Sequence, residues 1–219
     1  MEKVFNFLKK LAKNNRKEWF DAHKEEYLEA KEDFEKYIDT VISGIKKFDK
    51  EIDPSLTAKQ CSFRIYRDVR FSKNKAPYKN NMGASINPGG RKSLEAGYYL
   101  HFEPGKCFLA GGVYMPTPEM LQAIRQEIDY NAAALHKLMK APAFKKYFKG
   151  FDEEDKMVSA PKGYAREHPE IELLKNRHFI ISCELTDKQI NSKGSEKKIV
   201  EIFKAMHPLM LYLREATHK

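Results

Sequence analysis

Val4, Phe7, Leu8 and Leu11 recur at the period of an α-helix, so the spacing predicts an amphipathic helix from about Glu2 to Lys13, stopped by Asn14-Asn15. A second stripe of Trp19, Phe20, Tyr27, Phe34, Ile38, Val41 and Ile45, set among charged residues, predicts one long helix from about Lys17 to Phe48, with Trp19 as a core anchor. Asp53-Pro54 ends that region. The period then shortens to two. Phe63, Ile65, Val69 and Phe71 alternate with Arg64, Tyr66, Asp68 and Arg70, the pattern of a strand with one apolar and one polar face. Arg67 falls in phase with the apolar set. An unpaired buried guanidinium is costly, so Arg67 must snorkel, ride on a bulge, or pair with a carboxylate or a bound anion.

A short strand from Met82 to Asn87 follows, ended by Pro88-Gly89-Gly90. The clearest hairpin pairs Ala96–Glu103 with Lys106–Tyr114 around Pro104-Gly105, a pair suited to the centre of a type II turn. In it Tyr98, Leu100 and Phe102 share one face and Tyr99, His101 and Glu103 the other, the polar surface expected for Arg64 and Arg70 as well. Gly111-Gly112 inside a strand predicts a bulge or the close approach of another backbone or a ligand. Thr117-Pro118-Glu119 opens a helix carrying Leu121, Ile124 and Ile128, and helical segments near 131–139 and 142–148 come next. After the acidic turn Asp152–Asp155 and an ordered loop leading to a short helix at Pro169, Phe179–Leu185 reads as a strand and Ser195–Thr217 as a closing helix with Pro208 inside. The expected fold is α+β, a single domain over residues 1–219. Its antiparallel sheet has about five strands, near Phe63, Met82, Ala96, Lys106 and Phe179, covered by the long helices at both chain ends.

Composition bears on partners more than on fold. A chain of 219 residues with 42% hydrophobic content can bury a sizeable core, and its apolar runs are too short to span a bilayer. Cys61, Cys107 and Cys183 are odd in number and widely spaced, which argues for reduced thiols and a cytoplasmic setting, and against a disulfide framework or a zinc site. The net charge of +9 favours anionic partners. Of that charge, +5 falls between Phe63 and Lys79, where Arg64, Arg67, Arg70, Lys73, Lys75 and Lys79 face only Asp68. Phosphate-loop, dinucleotide-binding, zinc-protease and serine-hydrolase motifs are absent, so no metal or cofactor is designated.

The basic stretch suits capture of a phosphorylated or otherwise anionic small molecule. In that reading Arg64, Arg67 and Arg70 clamp the anion, Lys75 and Lys79 neutralise charge, and Tyr78 donates a hydrogen bond. Asp68 orients an arginine or acts as a base, with His101 as the other candidate proton carrier in phosphoryl or acyl transfer. Tyr114 follows the glycine pair. Lys162, Tyr164, Arg166 and His168 precede a helix start and form a second candidate patch. Two rivals stand beside this reading. One is a nucleic-acid-binding module in which arginines touch phosphates and Tyr66 or Tyr78 stacks on bases. The other is a structural or interaction protein whose Arg/Asp stretch is an internal polar network.

Asn14-Asn15-Arg16 with Trp19-Phe20, FRIYRDVRFSKNKAPYK, AGGVYMP with Ile124-Arg125, and PKGY with His168-Pro169 together resemble the bacterial and fungal family called domain of unknown function 2461. The likeness runs over nearly the whole chain. It implies intracellular residence and a single domain, makes these stretches look like one shared surface, and carries no catalytic residue across.

Overall fold

The computed structural model describes residues 1–218. The first stripe forms α1 (Glu2–Lys13), with Val4, Phe7, Leu8 and Leu11 buried. The second is divided: α2 (Lys17–Ala22) and α3 (Lys24–Ile45) meet at His23, which is non-helical at φ −115°, ψ 25°. The His23 ring stacks 4.1 Å from the Trp19 indole and its Nδ1 lies 2.8 Å from the Trp19 carbonyl, contacts that accompany the break between the two helices. After α4 (Ala58–Cys61) come β1 (Met82–Ile86), β2 (Gly97–Phe102) and β3 (Cys107–Val113). Then α5 (Pro118–Lys140) merges two expected helical segments across a kink at Asn131, and α6 (Pro142–Lys145) and α7 (Ile171–Leu174) are single turns. The chain closes with β4 (Phe179–Leu185), α8 (Asp187–Asn191) and α9 (Ser195–His218), which runs through Pro208.

Among the described residues the sheet has four strands in the order β1-β2-β3-β4, every pair antiparallel, rather than about five. The missing strand is Phe63–Phe71. Residues 62–80 instead leave the β1 edge as a two-legged excursion held by isolated bridges at Ser62–Ala84 and Tyr66–Tyr78. Its expected apolar face does not form: Ile65 is buried, but Phe63 is 42% and Phe71 95% exposed. With little to bury and cations crowded along both legs, the segment gains too little from extending the ladder. A side chain replaces the neighbouring strand. Asn15 accepts from the Tyr78 N–H at 3.1 Å and donates to the Tyr78 carbonyl at 3.0 Å, pinning the returning leg to the end of α1.

One face of the sheet lies under α1, α3 and α9. Ala84, Ile86, Tyr98, Leu100, Phe102, Leu109, Val113, Phe179 and Ile181 point into this layer and are buried. Phe102 is the hub, with the Phe5, Phe34 and Tyr37 rings 6.3, 5.9 and 5.7 Å away. The opposite face carries Ser85, Tyr99, His101, Phe108, Ala110, Ser182 and Glu184 in register, and loops, not helices, rise at its margins. Among the described residues no helix is long and apolar enough to cross a membrane, and no group of three or more His, Cys, Asp or Glu is placed to hold a metal. Cys61, Cys107 and Cys183 are free thiols.

Candidate functional site

A cavity of about 640 Å³ opens on the loop-flanked face of the sheet. Tyr99, Phe108, Ala110, Gly112 and Ile180 make its floor. The wall on the β1 side has Phe63 and Lys79 from the excursion and Arg91 and Glu95 from the β1–β2 loop; Tyr114, Asp152 and Glu154 also line the cavity. Backbone pairing sets the β1-side wall. The Phe63 N–H donates to the Gly83 carbonyl at 2.9 Å, which stands the Phe63 ring edge-on to Tyr99 at 6.2 Å, and the Lys79 N–H donates to the Ile65 carbonyl at 2.8 Å. Arg91 is fixed by donating to the carbonyls of Lys59 and Gln60 at the end of α4. Asn87 holds the rest of the loop by donating to the Ser93 and Glu95 carbonyls, both at 3.0 Å.

Lys79 is the notable charge here. Its ammonium lies 5.4 Å from the centre of the Phe63 ring, and among the described residues no carboxylate comes within ion-pair distance. Burial first, and the nearby Arg64 charge second, pull its pKa below the ordinary lysine value. Burial pushes the Asp152 carboxyl up, although Ser182 donates to it at 2.8 Å.

Along β2 the two-residue period sets Tyr99 and His101 side by side, with Glu103 next after the strand. The Tyr99 hydroxyl is 3.0 Å from His101 Nδ1, His101 Nε2 is 3.4 Å from a Glu103 oxygen, and the imidazole stacks on Phe108 at 4.6 Å. Because a carboxylate only accepts, the consistent assignment has Nε2–H donating to Glu103 and Nδ1 accepting from the Tyr99 O–H. Burial pushes the Tyr99 pKa up to about 12 and draws His101 below the ordinary histidine value against the pull of Glu103. Across the ladder Gly83 makes room, since a Cβ there would sit 2.8 Å from the Tyr99 hydroxyl oxygen. His101, Glu103 and Phe108 also line an adjoining cavity of about 1020 Å³ that runs toward Asp187.

His207, on the other side of the sheet, is likewise held below the ordinary histidine value by burial. A folded-state pKa below the unfolded one means that the unfolded chain binds more protons as pH falls through the ordinary histidine range, so the stability of the fold declines there. Melting temperatures measured from pH 7 down to pH 5 are expected to fall in wild type and to fall less in His101→Gln and in His207→Gln. Identical slopes in all three proteins would show that neither imidazole contributes.

The remaining expected residues are distributed more widely than the linear cluster implies. Arg70 forks onto Asp68 at 3.0 and 2.7 Å, and both side chains are exposed. That contact holds the Asp68 carboxyl below its usual range. Arg67 donates to the Ser72 hydroxyl at 3.3 Å and Lys75 to the Val69 carbonyl at 3.1 Å, so both brace the excursion, while Arg64 is exposed. Tyr78 is buried, with its ring stacked on Phe20 at 4.0 Å, and lines none of the cavities described. In the second patch Lys162 is exposed and Tyr164 meets His168 edge-on at 5.9 Å. His168 is itself engaged by Asp129 at 2.9 Å and by the Glu170 N–H at 3.1 Å, docking that loop on α5. The structure therefore brings Lys79 and Tyr114 to one cavity and His101 to the next. Sequence reasoning missed Phe63 as a wall, Tyr99, Glu103, Phe108, Arg91 and Asp152. The alternation around His101 marked Tyr99 and Glu103 as its face-mates and Asp152 stood out only as part of an acidic turn, whereas no local pattern pointed to Arg91.

The model of a family described as "Conserved hypothetical protein (DUF2461)" matches residues 3–212, and the chain belongs to that family. No curated protein and no solved structure matches it.

Proposed function

We propose that this protein binds a small molecule with an anionic group on a flat apolar body, held in the cavity on the loop-flanked sheet face. Lys79 meets the anion, Arg91 adds charge on the same wall, and the rings of Phe63, Tyr99 and Phe108 contact the body. The observation that carries this reading is the half-buried Lys79, which lines the cavity and, among the described residues, has no carboxylate within ion-pair distance. A charge removed from water without a partner is costly, and an anion in the cavity relieves that cost. Arg64, Arg67, Arg70 and Lys75, on the adjoining excursion, raise the local concentration of anions.

Calorimetric titration of the full chain with aromatic carboxylates and phosphates tests this. Lys79→Ala is expected to weaken binding by about 10- to 100-fold, the worth of a hydrogen bond to a charged group, and Lys79→Arg to recover part of it. Arg70→Ala is expected to leave both fold and affinity nearly unchanged, because its pair with Asp68 is solvent-exposed. Equal affinities of wild type and Lys79→Ala would defeat the reading.

A second reading draws on the excursion tip, where Phe71 is almost fully exposed beside Arg70 and Tyr66 is half exposed. Exposed rings among cations suit single-stranded nucleic acid. Affinity for mixed oligonucleotides that drops steeply with salt and is lost in Phe71→Ala supports it; no binding at low salt removes it.

A further inference from the structure

We infer that Tyr99 is the proton-accepting group of this cavity, backed by His101 and Glu103 as a relay, so that the bound anion is deprotonated as well as held. The inference rests on the binding reading above and adds a reaction to it.

The hydrogen-bond directions carry it. The single Tyr99 proton is committed to His101 Nδ1 across 3.0 Å, while the Tyr99 ring lines the cavity floor. In the inferred complex the acidic proton of the ligand lies against the phenol oxygen, which has somewhere to send its own proton. In the step, a C–H or O–H bond of the ligand breaks and its proton bonds to the Tyr99 oxygen. The original phenol proton moves to Nδ1. The ligand keeps the electron pair as an anion, the tyrosine ends neutral, and the new imidazolium faces the Glu103 carboxylate through Nε2–H. Lys79, on the cavity wall, faces the charge that develops on the ligand. Return of the proton to the same or another ligand atom resets the row.

The surroundings keep the row aligned. Phe108 stacks on the imidazole and fixes its plane, and Gly83 leaves the space that the Tyr99 hydroxyl occupies. The charges acting on His101 come from both sides: Glu103 favours its protonated form, and Lys79 opposes it. Lys106 lies 3.9 Å from the second Glu103 oxygen and leaves the first to the histidine. Tyr99 is the catalytic residue in this scheme, and His101 and Glu103 are positioning residues.

Phenylpyruvate is a suitable probe: a carboxylate on a flat ring, with methylene protons made acidic by the adjacent ketone. Exchange of those protons is followed by proton NMR in D₂O, and 3-phenylpropionate, which lacks the ketone, serves as the binding control. Wild type is expected to accelerate exchange over buffer by about 100-fold, the usual scale of general base catalysis. Tyr99→Phe and His101→Gln are expected to lose that acceleration while still binding 3-phenylpropionate, which needs the ring and not the hydroxyl. Lys79→Ala is expected to lose the acceleration and to bind 3-phenylpropionate about 10- to 100-fold more weakly. Wild-type exchange should also slow as pH is lowered through the His101 titration, because a protonated Nδ1 cannot accept. If wild type binds both compounds but exchanges no faster than buffer, or if Tyr99→Phe exchanges as fast as wild type, the relay is overturned and the binding reading stands. If neither compound binds wild type, the binding reading falls and takes the relay with it.

Discussion

Asp49→Ala is expected to cost about 3–5 kcal/mol of folding free energy, the usual penalty for stranding one member of a buried ion pair. For a chain of this size that lowers the melting temperature by roughly 10 °C. Asp49 is 0% and Arg214 1% exposed, and the guanidinium forks onto the carboxylate with both contacts at 3.0 Å. Tyr98 donates to Asp49 at 2.8 Å and Arg214 Nε donates to the Ala96 carbonyl at 2.9 Å, so the pair ties the end of the α3 region, the start of β2 and α9 together. Removing the carboxylate leaves a guanidinium in the core with only Glu51, 3.4 Å away and partly exposed, to answer it. Burial alone would raise the Asp49 pKa, but its bonds to Arg214 and Tyr98 and the His207 charge outweigh that and hold it below the ordinary carboxylate value. A folded pKa below the unfolded one gives stability that is present above the unfolded value, near pH 4, and is lost as pH falls through the folded one. Urea titration reads the loss directly. Replacing both residues with apolar side chains of similar volume should recover much of it; a single Asp49→Ala costing less than about 1 kcal/mol would show that the pair is not what holds these elements.

Gly112→Ala is expected to be comparably damaging, at about 3 kcal/mol or more, for reasons of shape. Gly112 sits in β3 at φ +133°, where side chains are strained, and a Cβ there would collide with the Phe179 carbonyl oxygen of β4. That oxygen is backbone within a ladder and cannot swing aside as a flexible side chain would. Gly105 supplies the control. Its φ of +79° also favours glycine, yet nothing lies within 4 Å of a Cβ, so Gly105→Ala should show the conformational cost alone, about 1–2 kcal/mol. Melting curves of the two variants separate collision from backbone preference, and equal losses would sink the collision account.

Both glycines were readable as punctuation in advance. Pro104-Gly105 was a turn by composition, and Gly111-Gly112 marked a close approach without saying whose: it is the Phe179 backbone for Gly112 and Met206 for Gly111. The β2–β3 hairpin and β4 were equally legible, because strand alternation and turn chemistry act over a few residues. The same alternation misled at Phe63–Phe71. Its period was right for a strand, but a strand also needs a surface to bury against and a free edge to join, and only Ile65 found the core. His23 escaped notice for a related reason, since the apolar stripe continues across it while the backbone breaks there, with its ring stacked on Trp19.

By itself the sequence determined the amphipathic helices, the antiparallel hairpin, the α+β class and the excess of positive charge, all properties of neighbours along the chain or of simple totals. Tertiary structure alone decided which of those charges are spent. It paired Arg70 with Asp68 in solvent, buried Arg214 against an aspartate 165 positions away, and left Lys79 on a cavity wall with no carboxylate within ion-pair distance among the described residues. The reason is physical: the free energy of a charge depends on the water and counter-charges within a few ångströms, and those distances exist only once remote segments have packed together.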